Sequence, residues 1–216
     1  AQTAIRYGVV FYLTKPIDED ELISAVTSVR NSIEEERREK NDLNSYRENA
    51  LDTILRNLLA GKTVDIPPST QRDLHLSAEV YQVILYERYN QNSFQTYWNF
   101  AELLRVTNQD QNSFNHIIMD KREIFLLKGT FASERFDSLL HHYDVNPQKG
   151  SPLDSLFLTY GRRVYRLEDI CLSYQDASRL LARRFFCEPN QHVLGYEELP
   201  SQDAVMLPPE SWNQKS

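Results

Sequence analysis

Cysteine is nearly missing from this chain: 216 residues carry two, Cys171 and Cys187. Two thiols build no disulfide framework, so a packed core must hold the fold, and a reducing cytoplasm is the compartment this usage fits. Long apolar runs are missing as well. The longest, such as Val9 to Leu13, fall far short of the ~20 residues a membrane span needs. No charged start followed by an apolar stretch marks a signal peptide. Positive charge is in deficit, with a formal net charge of -7 and a pI near 5.3. That argues against a phosphate-binding surface as the main business of this segment, because non-specific DNA affinity comes from Lys and Arg neutralising phosphates. The few glycines supply neither a nucleophile elbow nor a Gly-rich oxyanion loop, so Ser173, Asp176 and His192 do not make a catalytic triad. His141 and His142 are the one close histidine pair, but helix neighbours point about 100° apart and share a metal poorly. The sequence therefore offers no catalytic residue, metal-ligand set or cofactor motif. What it does have is 41% hydrophobic and 11% aromatic residues, enough to bury the core of one large domain or two small ones.

The first stretch reads as a helix end, a buried strand over Val9 to Leu13 and a loop at Thr14-Lys15-Pro16. Asp18, Glu19, Asp20 and Glu21 then form an acidic first turn, which complements the positive end of a helix dipole. No proline follows until Pro67. Leu22, Val26, Val29 and Ile33 recur at alternating steps of four and three, and the register resumes at Leu43, Ala50 and Ile54 after charged positions at Glu36, Lys40 and Arg47. This is a heptad seam with a polar middle. A continuous helix from Asp18 to Ala60 would be ~60 Å long, with Gly61 as its C-terminal cap and Ile66-Pro67-Pro68 closing the segment. The stripe allows two readings, a parallel coiled-coil homodimer or a helix packed on its own domain.

Beyond Pro68 the periods alternate. Glu79 to Tyr89 reads as a strand, and Asn92 to Val106 as a helix carrying Phe94, Trp98, Ala101 and Leu104 or Arg105. Phe114 to Met119 and Ile124 to Lys128 read as strands joined by the hairpin loop Asp120-Lys121-Arg122-Glu123. Phe131 to Tyr143 returns to helix, Ser155 to Tyr160 to strand, Leu167 to Phe186 to a long helix, and His192 to Tyr196 to a last strand. The order β-α-β-β-α-β, then helix and strand, predicts an α+β fold of the ferredoxin-like kind, an antiparallel sheet with helices packed on one face. Tyr174 and Phe185 are expected in the core, with a hydrogen-bond partner for the Tyr174 hydroxyl, and Cys171 on the buried side of its helix. After Pro200 the chain reads as a linker or tail.

Ala4-Ile5-Arg6-Tyr7-Gly8, followed by Tyr12-Leu13-Thr14-Lys15-Pro16, is similar to the last part of a response-regulator receiver domain. The resemblance implies that Lys15 contacts the phosphoryl group on the acceptor aspartate and that Tyr12 is the aromatic whose rotamer reports phosphorylation. The acidic pocket and the acceptor itself would precede Ala1. Leu55 to Gly61, Leu172 to Leu181, Arg184-Phe185-Phe186 and His192 to Glu197 resemble the middle region of YesN-type response regulators, which carry an AraC-type DNA-binding domain at their C-terminus. The strand and helix order also resembles that of diguanylate cyclases, whose Gly-Gly-Asp/Glu-Glu-Phe (GGDEF) hairpin carries catalysis. Here the hairpin reads Lys121-Arg122-Glu123-Ile124-Phe125, without the glycines that let backbone approach a nucleotide. The strand Val83 to Tyr89 contains Glu87 but no Asp, so the usual carboxylate pair for a divalent metal is not assembled.

These readings divide the chain into a receiver remnant (1–33), a linker helix suited to a coiled coil (34–66), a degenerate GGDEF-like regulatory domain (67–200) and a linker or tail (201–216). They imply a cytoplasmic, non-enzymatic, signal-transmitting segment of a two-component DNA-binding transcriptional regulator. Its expected state is a homodimer, meeting its sensor histidine kinase and DNA only through regions outside this sequence, with no cofactor and no membrane contact. The competing expectation is a small-molecule-sensing domain that biases the regulator by its own ligand. Arg162, Arg163, Arg166, Arg179, Arg183 and Arg184 are either an anion patch or a solvated face whose stems cover apolar surface.

Overall fold

The computed structural model describes residues 19–88, 100–108, 112–145, 156–187 and 191–199. Lys15 and Tyr12, with the rest of the receiver-like stretch, lie outside the described residues, as does the tail after Leu199. The chain divides into two compact units, Ala1–Leu51 and Asp52–Ser216.

The described part of the first unit is helical. Helix α1 runs Glu19–Leu59 with Glu19, Asp20 and Glu21 in its first turn. No Gly or Pro interrupts it, and straight-chain residues that lose little rotamer freedom dominate. Of the heptad positions, Leu22 (40% exposed), Val26 (60%), Ile33 (45%) and Leu43 (58%) are uncovered in the single chain, while Val29, Ala50 and Ile54 are half-buried. The last turns of α1 belong to the second unit and bury different residues, Leu55, Leu58 and Leu59, on a face turned by about a third of the helix circumference from Ala50 and Ile54. The helix stops where glycine allows it. Gly61 takes φ +74°, its N–H donates to the Leu58 carbonyl at 2.9 Å, and the Lys62 N–H donates to Asn57 at 2.9 Å. This crossed pair satisfies carbonyls that the helix end leaves open.

The second unit continues with a short helix α2, Pro68–Asp73, that the sequence reading did not contain; it begins on proline, whose fixed φ suits the first helical position. Strand β1 (Tyr81–Arg88), helix α3 (Phe100–Asn108), strands β2 (Phe114–Met119) and β3 (Arg122–Lys128), helix α4 (Thr130–Val145), strand β4 (Leu156–Tyr160), helix α5 (Ile170–Ala182) and strand β5 (Val193–Gly195) follow. The sheet order is β2-β3-β1-β4-β5. All neighbours are antiparallel except the last. Leu158, Thr159 and Tyr160 pair in parallel with Val193, Leu194 and Gly195, so the sheet is mixed where an antiparallel one was expected. The reason is the crossover: α5 lies between β4 and β5, and a helical crossover returns the chain in its starting direction.

Helices cover both faces of the sheet, not one. Ile84, Tyr86, Phe125, Leu127 and Leu158 form one cluster with Phe100 and Leu104 of α3 and Ala132 and Phe136 of α4; Phe100 and Phe125 meet edge to face at 5.2 Å. Toward α5, the Val83 N–H donates to the Ser173 hydroxyl at 2.9 Å and the Thr159 hydroxyl donates to the Ala177 carbonyl at 2.9 Å. Tyr81 to Tyr86 are consequently all buried, which is why β1 reads as a continuous run and not as an alternation.

The long helix expected over Leu167 to Phe186 is three pieces: a 3-10 turn at Leu167–Asp169, then α5, then a second 3-10 turn at Arg183–Phe186. The expected core residue Phe185 is 90% exposed, as is Phe186; Cys171 and Tyr174 are half-buried. Arg184 takes the inward position instead, with its guanidinium on Glu87 at 2.7 Å and over the Phe157 ring at 6.0 Å. An aliphatic stem with a paired head covers apolar surface there, and the phenyl ring is left outside.

The hairpin is tighter than its sequence suggested. Met119 pairs with Arg122, leaving the two-residue loop Asp120-Lys121 with φ of 51° and 64°. Two consecutive positive φ values define a type I′ turn, the geometry that matches strand twist and favours glycine at its second position. Lys121→Gly is accordingly expected to stabilise the protein by about 0.5–1 kcal/mol. Urea unfolding should show a higher midpoint at unchanged slope; a lower midpoint would mean that the lysine side chain contributes more than its backbone conformation costs.

Candidate ligand cleft at a strand bulge

Ile84 pairs with Tyr160, yet Tyr81 bridges Val164. Three steps on β1 therefore face four on the segment opposite, and the extra residue makes a bulge just after β4. Gly161 N–H donates to the Val83 carbonyl at 3.0 Å, and the bulge then turns Arg162 toward α5. There Arg162 Nε lies 2.5 Å from Asp176 Oδ2, its Nη2 donates to Oδ1 at 3.0 Å, and its backbone N–H donates to Oδ2 at 3.3 Å. Asp176 is 1% exposed. The hydrogen bond to Asp176 holds the Arg162 guanidinium above its ordinary pKa, and the same group lies 4.9 Å from the centre of the Tyr196 ring. Arg163 pairs with Asp137 of α4.

Gly161, Arg162, Arg163 and Asp137 line a cleft of ≈ 540 Å³ together with Gln82, Tyr160, Tyr196 and Glu197, within the size of small-molecule sites. Burial, and after it the Glu197 carboxylate, pushes the Tyr160 hydroxyl well above its ordinary pKa. Gly195 makes room for that pair: a Cβ there would stand 2.2 Å from the Tyr160 hydroxyl and 2.5 Å from Glu197 Oε2. Gln82 is 3% exposed. Its Nε2 donates to the Gly161 carbonyl at 3.0 Å, and its Oε1 has no hydrogen-bond partner among the described residues.

The carboxylates at the other end of the sheet are engaged by protein. Glu123 Oε2 accepts the Tyr86 hydroxyl at 2.5 Å and lies 3.3 Å from His116 Nε2, while Glu87 carries Arg184. Burial, then the hydrogen bond to Glu123, raises the Tyr86 hydroxyl. A second cavity of ≈ 410 Å³ is lined by Arg72, His75, Ser113 and Lys128 among others, and Lys128 Nζ donates to the His75 carbonyl at 2.6 Å.

The arginines noted in the sequence do not form one patch. Arg162 and Arg163 reach the cleft, Arg166 pairs with Glu168 at 3.4 Å, Arg183 donates to the Glu198 carbonyl at 3.2 Å, Arg184 holds Glu87 and Arg179 is exposed. Ser173, Asp176 and His192 are likewise apart in role, bonded to Val83, Arg162 and the Leu156 carbonyl in turn. His141 and His142 are exposed on α4. None of the heptad residues of α1 lines the cleft. The sequence reading missed Gln82, Tyr160 and Glu197; the available signal was Gln82, a polar residue inside the apolar run Val80 to Leu85. Among the described residues, no three potential metal ligands gather and no helix is long and apolar enough to cross a membrane.

The fold and cleft define an α+β domain with a five-stranded mixed sheet, preceded by a long helix. No protein-family model matches this chain, and neither a curated protein nor a solved structure matches it.

Proposed function

We propose that this chain is the signal-transmitting, non-enzymatic segment of a cytoplasmic two-component transcriptional regulator of the YesN type. The observation that carries the reading is α1. An unbroken helix from Glu19 to Leu59 keeps a heptad stripe uncovered at Leu22, Val26, Ile33 and Leu43, then buries Leu55, Leu58 and Leu59. A stripe left open in one chain is what a second copy would cover, and parallel pairing suits a regulator of paired DNA half-sites. In this reading Lys15 and Tyr12 sense phosphorylation, α1 carries the change, and a degenerate GGDEF-like domain receives it. The kinase and DNA are met through regions outside this sequence. Glu87 on Arg184 and Glu123 on Tyr86 support a domain that has given up metal chemistry at its strand ends.

Sedimentation tests the proposal. The chain should be a dimer at tens of micromolar, and Val26→Asp with Leu43→Asp should make it a monomer with unchanged circular dichroism from the α+β unit, since each buried unpaired carboxylate costs several kcal/mol. A wild-type monomer rejects the coiled coil. A dimer untouched by both substitutions places association on another surface.

A further inference from the structure

The charges in the middle of α1 are not used up within their own helix. Arg30 pairs with Glu34 at 3.3 Å and Arg56 with Asp52 at 2.6 Å, each across one helical turn. Glu36 and Lys40 have the same spacing and the favourable order, acid before base. Among the described residues, however, neither they nor Arg37 and Glu39 make an ion pair. All four are exposed. They interrupt the apolar stripe, so whatever covers Leu22, Val26, Ile33 and Leu43 must meet them too.

Heptad geometry dictates what a facing copy of α1 would bring. The stripe puts Leu22, Val29, Glu36 and Leu43 at position d and Val26, Ile33, Lys40 and Arg47 at a, with Arg37 at e and Glu39 at g. Branched Val26 and Ile33 at a, with Leu22 and Leu43 at d, favour two parallel strands. In such a pair each seam side chain enters a hole formed by four residues of the facing helix. For Lys40 that hole is the partner's Glu36, the partner's Glu39, the partner's Lys40 and the partner's Leu43, two carboxylates against one like charge. For Glu36 it is the partner's Ile33, the partner's Glu36, the partner's Arg37 and the partner's Lys40, two cations against one like charge. Arg47 meets the partner's Tyr46, a residue 77% exposed in the single chain whose ring can stack on a guanidinium.

We propose that this charged layer is an interchain lock: Lys40 of each chain is held between Glu36 and Glu39 of a second copy, which fixes the α1 pair as parallel and in register. A slip of one heptad would undo the match. Lys40 would then enter a hole with the partner's Val29, the partner's Ser32 and the partner's Ile33, while an apolar Ile33 entered the charged hole. An antiparallel pair centred between Glu36 and Lys40 would set Arg47 against the partner's Val29. Polar seam positions of this kind lower stability and select one register. The inference rests on the dimer reading above and adds what sets the direction and register of that dimer.

Sedimentation equilibrium of the full chain tests the lock. Lys40→Glu should weaken the dimer by roughly tenfold or more, and so should Glu36→Lys with Glu39→Lys, because each change fills both holes with like charge. Mixed one to one, the two variants should form a heterodimer within about threefold of wild-type affinity, since every reversed charge then faces an opposite one. The three positions are exposed and lie outside the Asp52–Ser216 unit, whose circular dichroism should not change. Leu43→Cys, in a chain that also carries Cys171→Ser and Cys187→Ser, should oxidise to a covalent dimer, because parallel in-register pairing puts residue 43 against its own copy. A wild-type monomer would refute the dimer and the lock together. A wild-type dimer whose affinity ignores Lys40→Glu, or variants that stay apart when mixed, would overturn the lock and leave the dimer standing. Failure of Leu43→Cys to cross-link would overturn the parallel register.

Discussion

Gly161→Ala should unfold the Asp52–Ser216 unit or bring it close to unfolding. A Cβ at this position would stand 1.8 Å from the Ser173 carbonyl oxygen, 2.6 Å from its carbon and 2.8 Å from its Cα. These are backbone atoms of α5 and have no rotamer to change. The helix itself is tied down, through the Ser173 hydroxyl to the Val83 N–H and through the Ala177 carbonyl to the Thr159 hydroxyl. Relief therefore requires moving α5 off the sheet or opening the bulge, and the expected loss is ~3 kcal/mol or more. Against a typical net stability of about 5–15 kcal/mol this is severe. Gly129→Ala is the matched control. That glycine has φ +87° but nothing within 4 Å of its Cβ, so only backbone strain of ~1 kcal/mol is expected. Urea unfolding of the two variants should rank Gly161→Ala far below Gly129→Ala; equal midpoints would show that α5 does not sit this close to the bulge.

What the sequence shows of this fold is what is encoded locally. Gly61 after an uninterrupted helix, the acidic turn at Glu19 to Glu21 and the apolar run of β1 each announce an element through its own residues, because capping, dipole and burial act over a few neighbours. Features set between distant segments are not legible in that way. The parallel pairing of β5 depends on where α5 returns the chain. The burial of both sheet faces depends on helices at very different distances from β1 along the chain, the farthest through the Val83 to Ser173 bond, 90 residues apart. Phe185 looks like a core residue until Arg184 is seen to reach Glu87, 97 positions earlier. The cleft is hidden for the same reason: Gln82, Arg162 and Glu197 meet only because the bulge and the parallel pair bring three separated segments to one sheet end. The arginines were visible as a group by composition, but their partners, which decide their roles, were not.

The second large effect is expected at Arg162, and its diagnostic is that one substitution should harm the protein more than two. Asp176 is 1% exposed and, among the described residues, takes its hydrogen bonds from Arg162, at 2.5, 3.0 and 3.3 Å. Arg162→Leu removes the guanidinium and leaves a buried carboxylate without its counter-charge, a loss of about 3–5 kcal/mol in comparable pairs. The Arg162 side chain is 36% exposed, so water can reach the vacated space and the lower end of that range applies. Replacing both, as Arg162→Leu with Asp176→Leu, removes the stranded charge and puts apolar volume beside Ala177 and Leu180, both at 0% exposure. The double variant should recover ~2 kcal/mol or more of the single variant's deficit, a non-additivity that a double-mutant cycle measures directly. Strict additivity would mean that Arg162 acts mainly by packing on Tyr196, and that Asp176 does not depend on it for its place in the core.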